Sequence, residues 1–197
     1  MGVAVVVLSA GRSSRFGGTK SKVLTKFDGK PLIAKIAQQA LSSRCSKVLI
    51  VTGHQSLDVE AALIDMDVDT LHNPRFEQGM GTSIAVAAQH LARDDNSVTA
   101  MMLLFGDMPM IRTEHLNTLL NHPDAGSKII RGANGDRAGH PILFPSESLP
   151  KLQMLSGDEG AKELVQGASL IDIGSAATFD IDTREAALQA GASLDFF

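Results

Sequence analysis

The hydrophobic positions along the chain predict alternating strands and helices. "VAVVVL" is an unbroken apolar run, and its brevity and the glycine that follows indicate a central strand buried on both faces. "PLIAKIAQQALSS", opened by Pro31, repeats apolar residues at helical spacing, with proline at a tolerated first-turn position. "KVLIVTG" then predicts a second buried strand. This alternation is typical of parallel strands joined by right-handed crossovers.

The alternation of predicted strands and helices continues to Asp107 and is less regular after it. Up to that point the pattern further predicts helices near 57–63 and 82–91, and strands near 68–71 and 100–107. Beyond it, the pattern predicts helices near 114–120, 148–152, 161–165 and 184–190, and strands near 127–132, 140–144, 170–174 and 177–181. We expect one α/β domain over 1–197, with a regular half (1–110) and a less regular half (111–197) that contains at least one antiparallel strand.

Composition excludes several classes of protein. The 197 residues, 44% hydrophobic and 20% charged, suffice for one core. A net charge of -4 argues against nucleic-acid binding, which needs a basic surface. Cys45 is the only cysteine, so no intrachain disulfide forms and a reducing compartment is expected. The first apolar run is far shorter than the ~20 residues that span a bilayer, so we expect a cytoplasmic protein with no membrane partner.

The loop after the first strand is locally basic in an acidic chain. "LSAGRSSRFGGTKSK", residues 8–22, contains three glycines, two arginines and two lysines. A loop at the carboxyl end of a central strand lies over the ligand crevice, where glycines let backbone N–H groups approach phosphate oxygens. The stretch matches neither GxGxxG nor the P-loop GxxxxGK[ST]. An anion site is favoured, and a surface loop with solvated cations is the alternative.

Asp107 ends the strongest predicted strand, in "LLFGDMP". A carboxylate at the end of a buried strand faces the same crevice and needs a cationic partner there. Mg²⁺ suits this position, because it takes one or two protein carboxylates and fills its other positions with water and substrate phosphate. A turn or a helix N-cap is the alternative role for Asp107.

A second acidic pair lies in "FDIDT". Asp180 and Asp182 are two residues apart, hence on one face of the predicted strand, and one of them could complete a metal site. Alternatively, Asp182 or Thr183 only caps the last helix. Weaker indications come from "NPRFEQGMGTS" (73–83), "GHP" (139–141) and "GDEGA" (157–161), each of which could be a plain turn. The absence of a His/Cys cluster argues against zinc, and the absence of GxSxG argues against a serine hydrolase.

The order of these stretches carries more information than any one of them. LxAGxSxRxG, a lysine before "GKPL", Asn-Pro with a glycine-rich stretch, GDxP, GHP, GDxGA and DIDT follow one another from Leu8 to about Leu188. In this order they resemble the MobA-like nucleotidyltransferases. Within that family, the resemblance is strongest to the molybdenum cofactor cytidylyltransferases. The resemblance implies a Rossmann-like three-layer fold with a mostly parallel mixed sheet, an NTP substrate, Mg²⁺ and release of pyrophosphate. It also implies nucleotide binding by 1–110 and acceptor binding by 111–197.

The resemblance further implies roles for single residues. It makes Lys22, Arg15 and Asp107 catalytic, and Asp107 and Asp182 metal ligands, with Asp180 the close rival of Asp182. The implied nucleotide-binding residues are Leu8, Ala10, Gly11, Arg12, Lys22, Asn73, Gly79, Gly81 and Ser83. His140, Asp158 and Gly160 fall where relatives line the acceptor pocket. Between Gly17 and "GKPL" the chain is slightly longer than the family pattern, so the phosphate lysine is Lys20 or Lys22; Lys22, directly before "VL", is preferred.

Ala10 bears on the choice of nucleotide. Guanylyl-transferring relatives carry glycine there, reading LAGG, and cytidylyl-transferring ones carry alanine, whose methyl group would take room that a purine needs. The implied reaction moves CMP from CTP to the terminal phosphate of molybdopterin, with a molybdenum hydroxylase as recipient of the product. The alternatives are another nucleotide such as GTP, another phosphorylated acceptor, or a non-catalytic insertion chaperone for the cofactor. The presence of Asp107, Asp182 and the loop lysines favours catalysis over the chaperone.

Overall fold

The computed structural model describes residues 2–13, 16, 21–93, 98–158 and 160–193. Its strands are β1 (Gly2–Leu8), β2 (Lys26–Phe27), β3 (Lys30–Pro31), β4 (Lys47–Thr52), β5 (Asp69–His72), β6 (Val98–Phe105), β7 (Ile130–Asn134), β8 (Arg137–Pro145), β9 (Ser169–Asp172) and β10 (Ala192–Ser193). Its α-helices are α1 (Leu32–Leu41), α2 (Ser56–Ala61), α3 (Met80–Ala92), α4 (Thr113–Leu120), α5 (Leu149–Leu152) and α6 (Arg184–Gln189).

Seven strands form the main sheet, in the order β5-β4-β1-β6-β8-β7-β9. β1 is central and pairs in parallel with β4 and β6. β8 pairs antiparallel with both of its neighbours, β6 and β7, whereas β7 and β9 are parallel. Within the described residues, β8 therefore runs against the other strands. The prediction of a mostly parallel mixed sheet is confirmed.

Helices cover both faces of this sheet. Val5 and Val7 of β1 pack in one apolar cluster with residues of α1, α2, α4 and α6. Val6 and Leu8 point to the other face and pack with residues of α3 and α5. Because successive side chains of a strand alternate between faces, a run of apolar residues such as β1 suits burial between two layers. The three-layer prediction is confirmed.

The first half agrees with its hydrophobic pattern, and each predicted strand and helix is present with bounds shifted by a few residues. Helix α1 begins at Leu32, directly after Pro31. A small second sheet, in the order β10-β2-β3, was not predicted. Its strands have two residues each, which is too short to show a period of two.

Two predictions in the second half are wrong. Residues 161–165 form consecutive turns and no helix, because glycines with positive φ flank them at 160 and 167 and too few residues remain to nucleate one. Residues 177–181 form no strand, because a 3₁₀ turn over Gly174–Ala177 ends the extended path after β9. In the part of the chain that is described, no helix has both the length and the apolar character to cross a membrane.

Candidate active site

A cavity of about 450 Å³ lies where β1 and β6 end and α3 begins. This volume falls in the range of small-molecule sites in proteins, roughly 300 to 1,000 Å³. Ten residues predicted to bind nucleotide, acceptor or metal line it: Leu8, Ala10, Gly11, Arg12, Lys22, Gly79, Ser83, Asp107, Asp158 and Asp182. The fold therefore brings residues from both halves of the chain to the carboxyl edge of the sheet, as expected for an open α/β sheet.

The loop after β1 is fixed by the neighbouring strands. Both the N–H and the hydroxyl of Ser9 donate to the carbonyl of Val51, each at 2.9 Å, at the end of β4. The N–H of Gly106, directly after β6, donates to the carbonyl of Leu8 at 2.9 Å. A Cβ atom added at Gly11 would meet no atom of the described residues within 4 Å apart from its chain neighbours, so their packing does not require glycine there. An open glycine in a fixed loop allows a ligand to approach the backbone closely.

Lys22 forms the centre of a charged cluster. Its Nζ lies 2.5 Å from Oδ2 of Asp107 and 2.9 Å from Oδ1 of Asp182. The Lys22 and Asp107 side chains are 17% and 14% exposed, so solvent screens this pair weakly. Burial acts to lower the pKa of Lys22, but the two carboxylates outweigh it and raise that pKa, which keeps the ammonium charged. The same ammonium therefore contacts both predicted metal ligands.

Three carboxylates converge beside this lysine. Asp107, Asp180 and Asp182 each offer one oxygen, and these oxygens lie within 4.8 Å of one another. Burial raises the pKa of Asp107, the Lys22 ammonium opposes this rise, and the charge of Asp180 adds to it. Among the described residues, Oδ1 of Asp107 has no hydrogen-bond partner although it is buried. Such a donor set of carboxylate oxygens fits a hard divalent cation such as Mg²⁺ or Mn²⁺.

The segment with Asp180 and Asp182 reaches the cluster without forming the predicted strand. The N–H of Ile181 donates to the carbonyl of Asp107 at 3.0 Å, and the Ile181 side chain is fully buried in the core. Thr183 caps α6, because its hydroxyl accepts a hydrogen bond from the N–H of Ala186 at 3.2 Å. Thr183 thus takes the capping role, and Asp180 and Asp182 both remain candidates for the second metal ligand.

Asn73 organises the start of α3 from outside the cavity. It is 1% exposed, and its Nδ2 donates to the hydroxyls of Thr82 and Ser83 at 2.9 and 3.0 Å. Ser83 lines the cavity, but Asn73 does not belong to the lining. Asn73 therefore contacts the cavity wall through Ser83, and its predicted binding of nucleotide stays a prediction.

Glycines join the start of α3 to the 156–158 turn. A Cβ atom at Gly79, whose φ is 109°, would lie 2.3 Å from the backbone of Gly157. The N–H of Gly81 donates to the carbonyl of Gly157 at 2.8 Å. These close approaches place Asp158 in the cavity wall opposite the loop after β1. Gly81 itself does not line the cavity, so its role in the structure is packing.

Two of the three predicted acceptor residues lie beside the cavity and not in its lining. The His140 ring packs against Phe105, a lining residue, with 4.2 Å between ring centroids. Burial lowers the pKa of His140 to about 4, helped by the charge of Arg131, so the imidazole is neutral at pH 7. A Cβ atom at Gly160 would lie 2.7 Å from Cε of Met80. Asp158 is the member of this set that lines the cavity.

Arg12 forms an exposed ion pair with Glu77 at the cavity. An exposed pair of this kind is weak, so an anionic ligand can compete for the guanidinium. Arg15 and Lys20 lie outside the described residues, and their predicted roles stay predictions. Lys22 is described and contacts the acidic cluster, and the choice of Lys22 over Lys20 as the phosphate lysine stays a prediction.

Several cavity residues were not predicted. They are Ser9, Ser13, Phe16, Val23, Phe76, Glu77, Met80 and Phe105. Phe76, Glu77 and Met80 lie inside the 73–83 stretch that the sequence marked as a unit, so its composition carried a signal for them. Ser13 has a left-handed backbone (φ 54°), which no sequence pattern in the loop indicated.

Comparison with known proteins identifies the family of this chain and proteins that share its fold. A family model for the MobA-like NTP transferase domain matches residues 5–173. The bifunctional protein GlmU of Halorhodospira halophila is 36% identical over 118 residues, which are 60% of this chain and 24% of that protein. The chain therefore spans only a small part of this curated relative.

Solved structures of low sequence identity share the fold. Rv0371c from Mycobacterium tuberculosis H37Rv gives a TM-score of 0.84 at 24% identity, covering 96% of this chain and 97% of that one. A complex of Rv0371c with manganese gives 0.80 at 22% identity, covering 97% and 98%. CMP:2-keto-3-deoxy-manno-octonic acid synthetase complexed with CTP gives 0.70 at 17% identity, covering 95% and 98%. At these identities the likeness extends to the fold alone.

Proposed function

The chain belongs to the MobA-like NTP transferase family, and from this premise we propose that it is a metal-dependent nucleotidyltransferase. In the proposed reaction a phosphate oxygen of the acceptor bonds to the α-phosphorus of an NTP, and the bond to the pyrophosphate oxygen breaks. The observation that carries the proposal is the contact of Lys22 with Asp107 and Asp182 in the cavity wall. A cation and a carboxylate cluster together supply what phosphate chemistry requires.

The reaction asks the protein mainly to align donor and acceptor and to stabilise charge. Lys22 and Arg12 are the described cations of the cavity, and each is paired with a carboxylate that triphosphate oxygens can replace. Arg15 completes this set in the proposal. No side-chain nucleophile is needed, because the acceptor attacks through its own phosphate. That phosphate is ionised at neutral pH, so no general base is needed either.

The carboxylate cluster is the proposed metal site. Asp107 and Asp182 would hold Mg²⁺, with Asp180 as the alternative second ligand. The buried Oδ1 of Asp107, which has no hydrogen-bond partner among the described residues, supports this assignment. When bound, the ion would neutralise charge on phosphate oxygens. The manganese complex of Rv0371c, which has the same fold, is consistent with a divalent cation in this chain.

The proposed nucleotide is CTP. Ala10 lines the cavity. A Cβ atom added at Gly53, the residue after β4, would lie 2.8 Å from the methyl group of Ala10. In the proposal this methyl group takes room that a purine needs, which favours a pyrimidine. A solved structure of the same fold binds CTP, which supports a cytidine nucleotide without deciding it. Leu8, Gly11, Gly79 and Ser83 would form the rest of the nucleotide wall.

The proposed acceptor is molybdopterin, through its terminal phosphate. Asp158 in the cavity wall would border the acceptor, with His140 packed against the lining residue Phe105 and Gly160 close to the lining residue Met80. The product would pass to a molybdenum hydroxylase in the cytoplasm. In this proposal 1–110 and 111–197 are the nucleotide-binding and acceptor-binding halves of one domain.

A substrate panel tests the proposal. The purified protein is incubated with Mg²⁺ and each of the four NTPs, with molybdopterin, with another phosphorylated acceptor or with no acceptor, and pyrophosphate release and molybdopterin binding are measured. We expect release with CTP and molybdopterin together, well above every other combination. Preference for GTP or ATP would contradict the cytidylyl assignment, and release with a different phosphorylated acceptor would contradict molybdopterin. Binding of molybdopterin without pyrophosphate from any NTP would instead indicate an insertion chaperone.

A further inference from the structure

Gln55 lies directly beyond β4, outside the cavity lining, and contacts the backbone next to Lys22. Its Oε1 accepts a hydrogen bond from the N–H of Ser21 at 2.6 Å. Ser21 is 2% exposed, so water does not replace this acceptor when it is removed. A buried N–H group left unpaired is destabilising, because it loses its acceptor and gains no water. The contact therefore fixes the backbone immediately before Lys22.

A second side chain holds the next N–H group. The hydroxyl of Ser13, in the loop after β1, accepts a hydrogen bond from the N–H of Lys22 at 3.0 Å. Ser21 and Lys22 begin the 3₁₀ turn Lys22–Leu24, and the first N–H groups of a helical turn have no partner inside it. Gln55 and Ser13 thus supply acceptors for two consecutive N–H groups from two different loops.

The loop that carries Gln55 is itself tied to the loop after β1. The N–H of His54 donates to the carbonyl of Ala10 at 3.1 Å. Gln55 has a left-handed backbone with φ 54°, a conformation that is unfavourable for a non-glycine residue. The fold accepts this strained conformation at the position from which the side chain reaches Ser21. One turn beyond β4 therefore contacts both the nucleotide loop and the backbone of Lys22.

We propose that Gln55 is a positioning residue that holds Lys22 in register with Asp107 and Asp182. Its link to turnover rests on the proposed function, because Lys22 acts on phosphate there. The ammonium contacts two carboxylates at once, at 2.5 and 2.9 Å, so a shift of its backbone disturbs both contacts. Gln55 does not belong to the cavity lining, and its contact with Ser21 is one residue away from Lys22.

Three variants separate positioning from a general effect on folding. Gln55→Leu removes the acceptor at nearly constant size, and Gln55→Glu restores an oxygen acceptor. Gln39→Leu is the matched control, because Oε1 of Gln39 accepts a hydrogen bond from the N–H of Thr113 at 2.8 Å and neither residue lines the cavity. We expect Gln55→Leu to lower kcat about tenfold with little change in KM for CTP. Gln55→Glu should recover most of that loss, and Gln39→Leu should leave kcat unchanged.

A double-mutant cycle shows whether Gln55 acts through Lys22. In the Lys22→Ala background, Gln55→Leu should cost no further factor in kcat, because the ammonium that it positions is gone. An equal loss in both backgrounds would overturn the proposal, as would a loss for Gln39→Leu as large as that for Gln55→Leu. Where Gln55→Leu does not fold, Ser13→Ala replaces it, with the same expected dependence on Lys22.

A metal-binding arm separates this proposal from the proposed function. Mn²⁺ is titrated into the substrate-free protein and free Mn²⁺ is followed by electron paramagnetic resonance. Because the ammonium occupies oxygens of Asp107 and Asp182, Lys22→Met should bind Mn²⁺ more tightly than the unmutated chain. Gln55→Leu should shift the affinity in the same direction by a smaller factor, and Gln39→Leu should not shift it. Unchanged affinity in Gln55→Leu would overturn the positioning role, whereas absent pyrophosphate release in the unmutated chain would overturn only the proposed function.

Discussion

The two halves of the chain reach the site in different ways. Asp107 from the first half follows β6 directly, so the central sheet sets its position. Asp180 and Asp182 from the second half lie in a segment without regular structure, held by the bond from the N–H of Ile181 to the carbonyl of Asp107 and by the buried Ile181 side chain. The sheet thus sets the position of Asp107 at the end of β6, whereas contacts between loops set the positions of the other charged groups.

Removing the charge of Asp107 should have the largest effect on this arrangement. Asp107→Asn keeps the shape but loses the charge that pairs with Lys22 and would hold the metal ion. We expect turnover to fall by about 10³-fold, as measured by pyrophosphate release, while thermal unfolding changes little. Asp69→Asn is the control, because its carboxylate pairs with Lys47 on the surface and should not affect turnover. Normal release by Asp107→Asn would show that the metal assignment is wrong.

Lys22 tests the loop that the first half contributes to the cluster. Lys22→Ala should lower kcat about 10²-fold, because an ammonium that reaches phosphate oxygens stabilises charge developing in the transition state. Lys20→Ala should have a much smaller effect, because the proposal gives the phosphate contact to Lys22. The comparison uses the same pyrophosphate measurement. The reverse ranking would transfer the predicted phosphate contact to Lys20.

Ala10 sharpens the role of the first half in nucleotide choice. One methyl group discriminates by only ~1 to 3 kcal/mol, so GTP should be a poor substrate and not an inert one. We expect CTP to exceed GTP in kcat/KM, and Ala10→Gly to narrow that ratio by about tenfold. Steady-state rates with both nucleotides measure this. An unchanged ratio in Ala10→Gly would leave the methyl group without a role in selectivity.

His140 gives the second half a pH-dependent stability. Its pKa is about 4 in the folded chain and near 6.5 when unfolded, so folding excludes a proton that the unfolded chain binds. The contribution of His140 to the free energy of unfolding is fully present above the pKa of the unfolded chain. It is lost as the pH falls towards the pKa of the folded chain. Between pH 7 and pH 5 we expect the loss to be about 1–2 kcal/mol. Urea unfolding of the unmutated chain and of His140→Gln at both pH values isolates it, and equal pH dependence would contradict a buried neutral imidazole.

The sequence predicted the regular half well, for identifiable physical reasons. Long apolar runs such as β1 and β6 have one stable arrangement, buried between two layers, and their ends fix where Leu8 and Asp107 lie. The rule that ligands bind at the carboxyl ends of strands then predicted that most residues of the site lie at one edge of the sheet. Applied to the end of β4 as well, the same rule would have drawn attention to Gln55.

The rest depended on contacts between distant residues. The path of 177–183 is set by the bond from Ile181 to Asp107 and by the cap at Thr183, and neither is visible in a local pattern that alternates like a strand. The Asp180 and Asp182 carboxylates reached the cluster even though the predicted strand was wrong. Asn73 and Gly81 were predicted to bind nucleotide, but their contacts in the structure are with residues of the cavity wall and of the turn at Gly157.

Product analysis tests most directly whether this edge of the sheet transfers a nucleotide. CTP labelled at the α-phosphorus is incubated with Mg²⁺, molybdopterin and either the unmutated chain or Asp107→Asn, and the label is followed together with pyrophosphate. We expect the label to appear on the acceptor, with one pyrophosphate released per transfer, and both to vanish with Asp107→Asn. Label that stays in CTP or leaves as free CMP, or full transfer by Asp107→Asn, would contradict nucleotidyl transfer at the Lys22–Asp107 cluster.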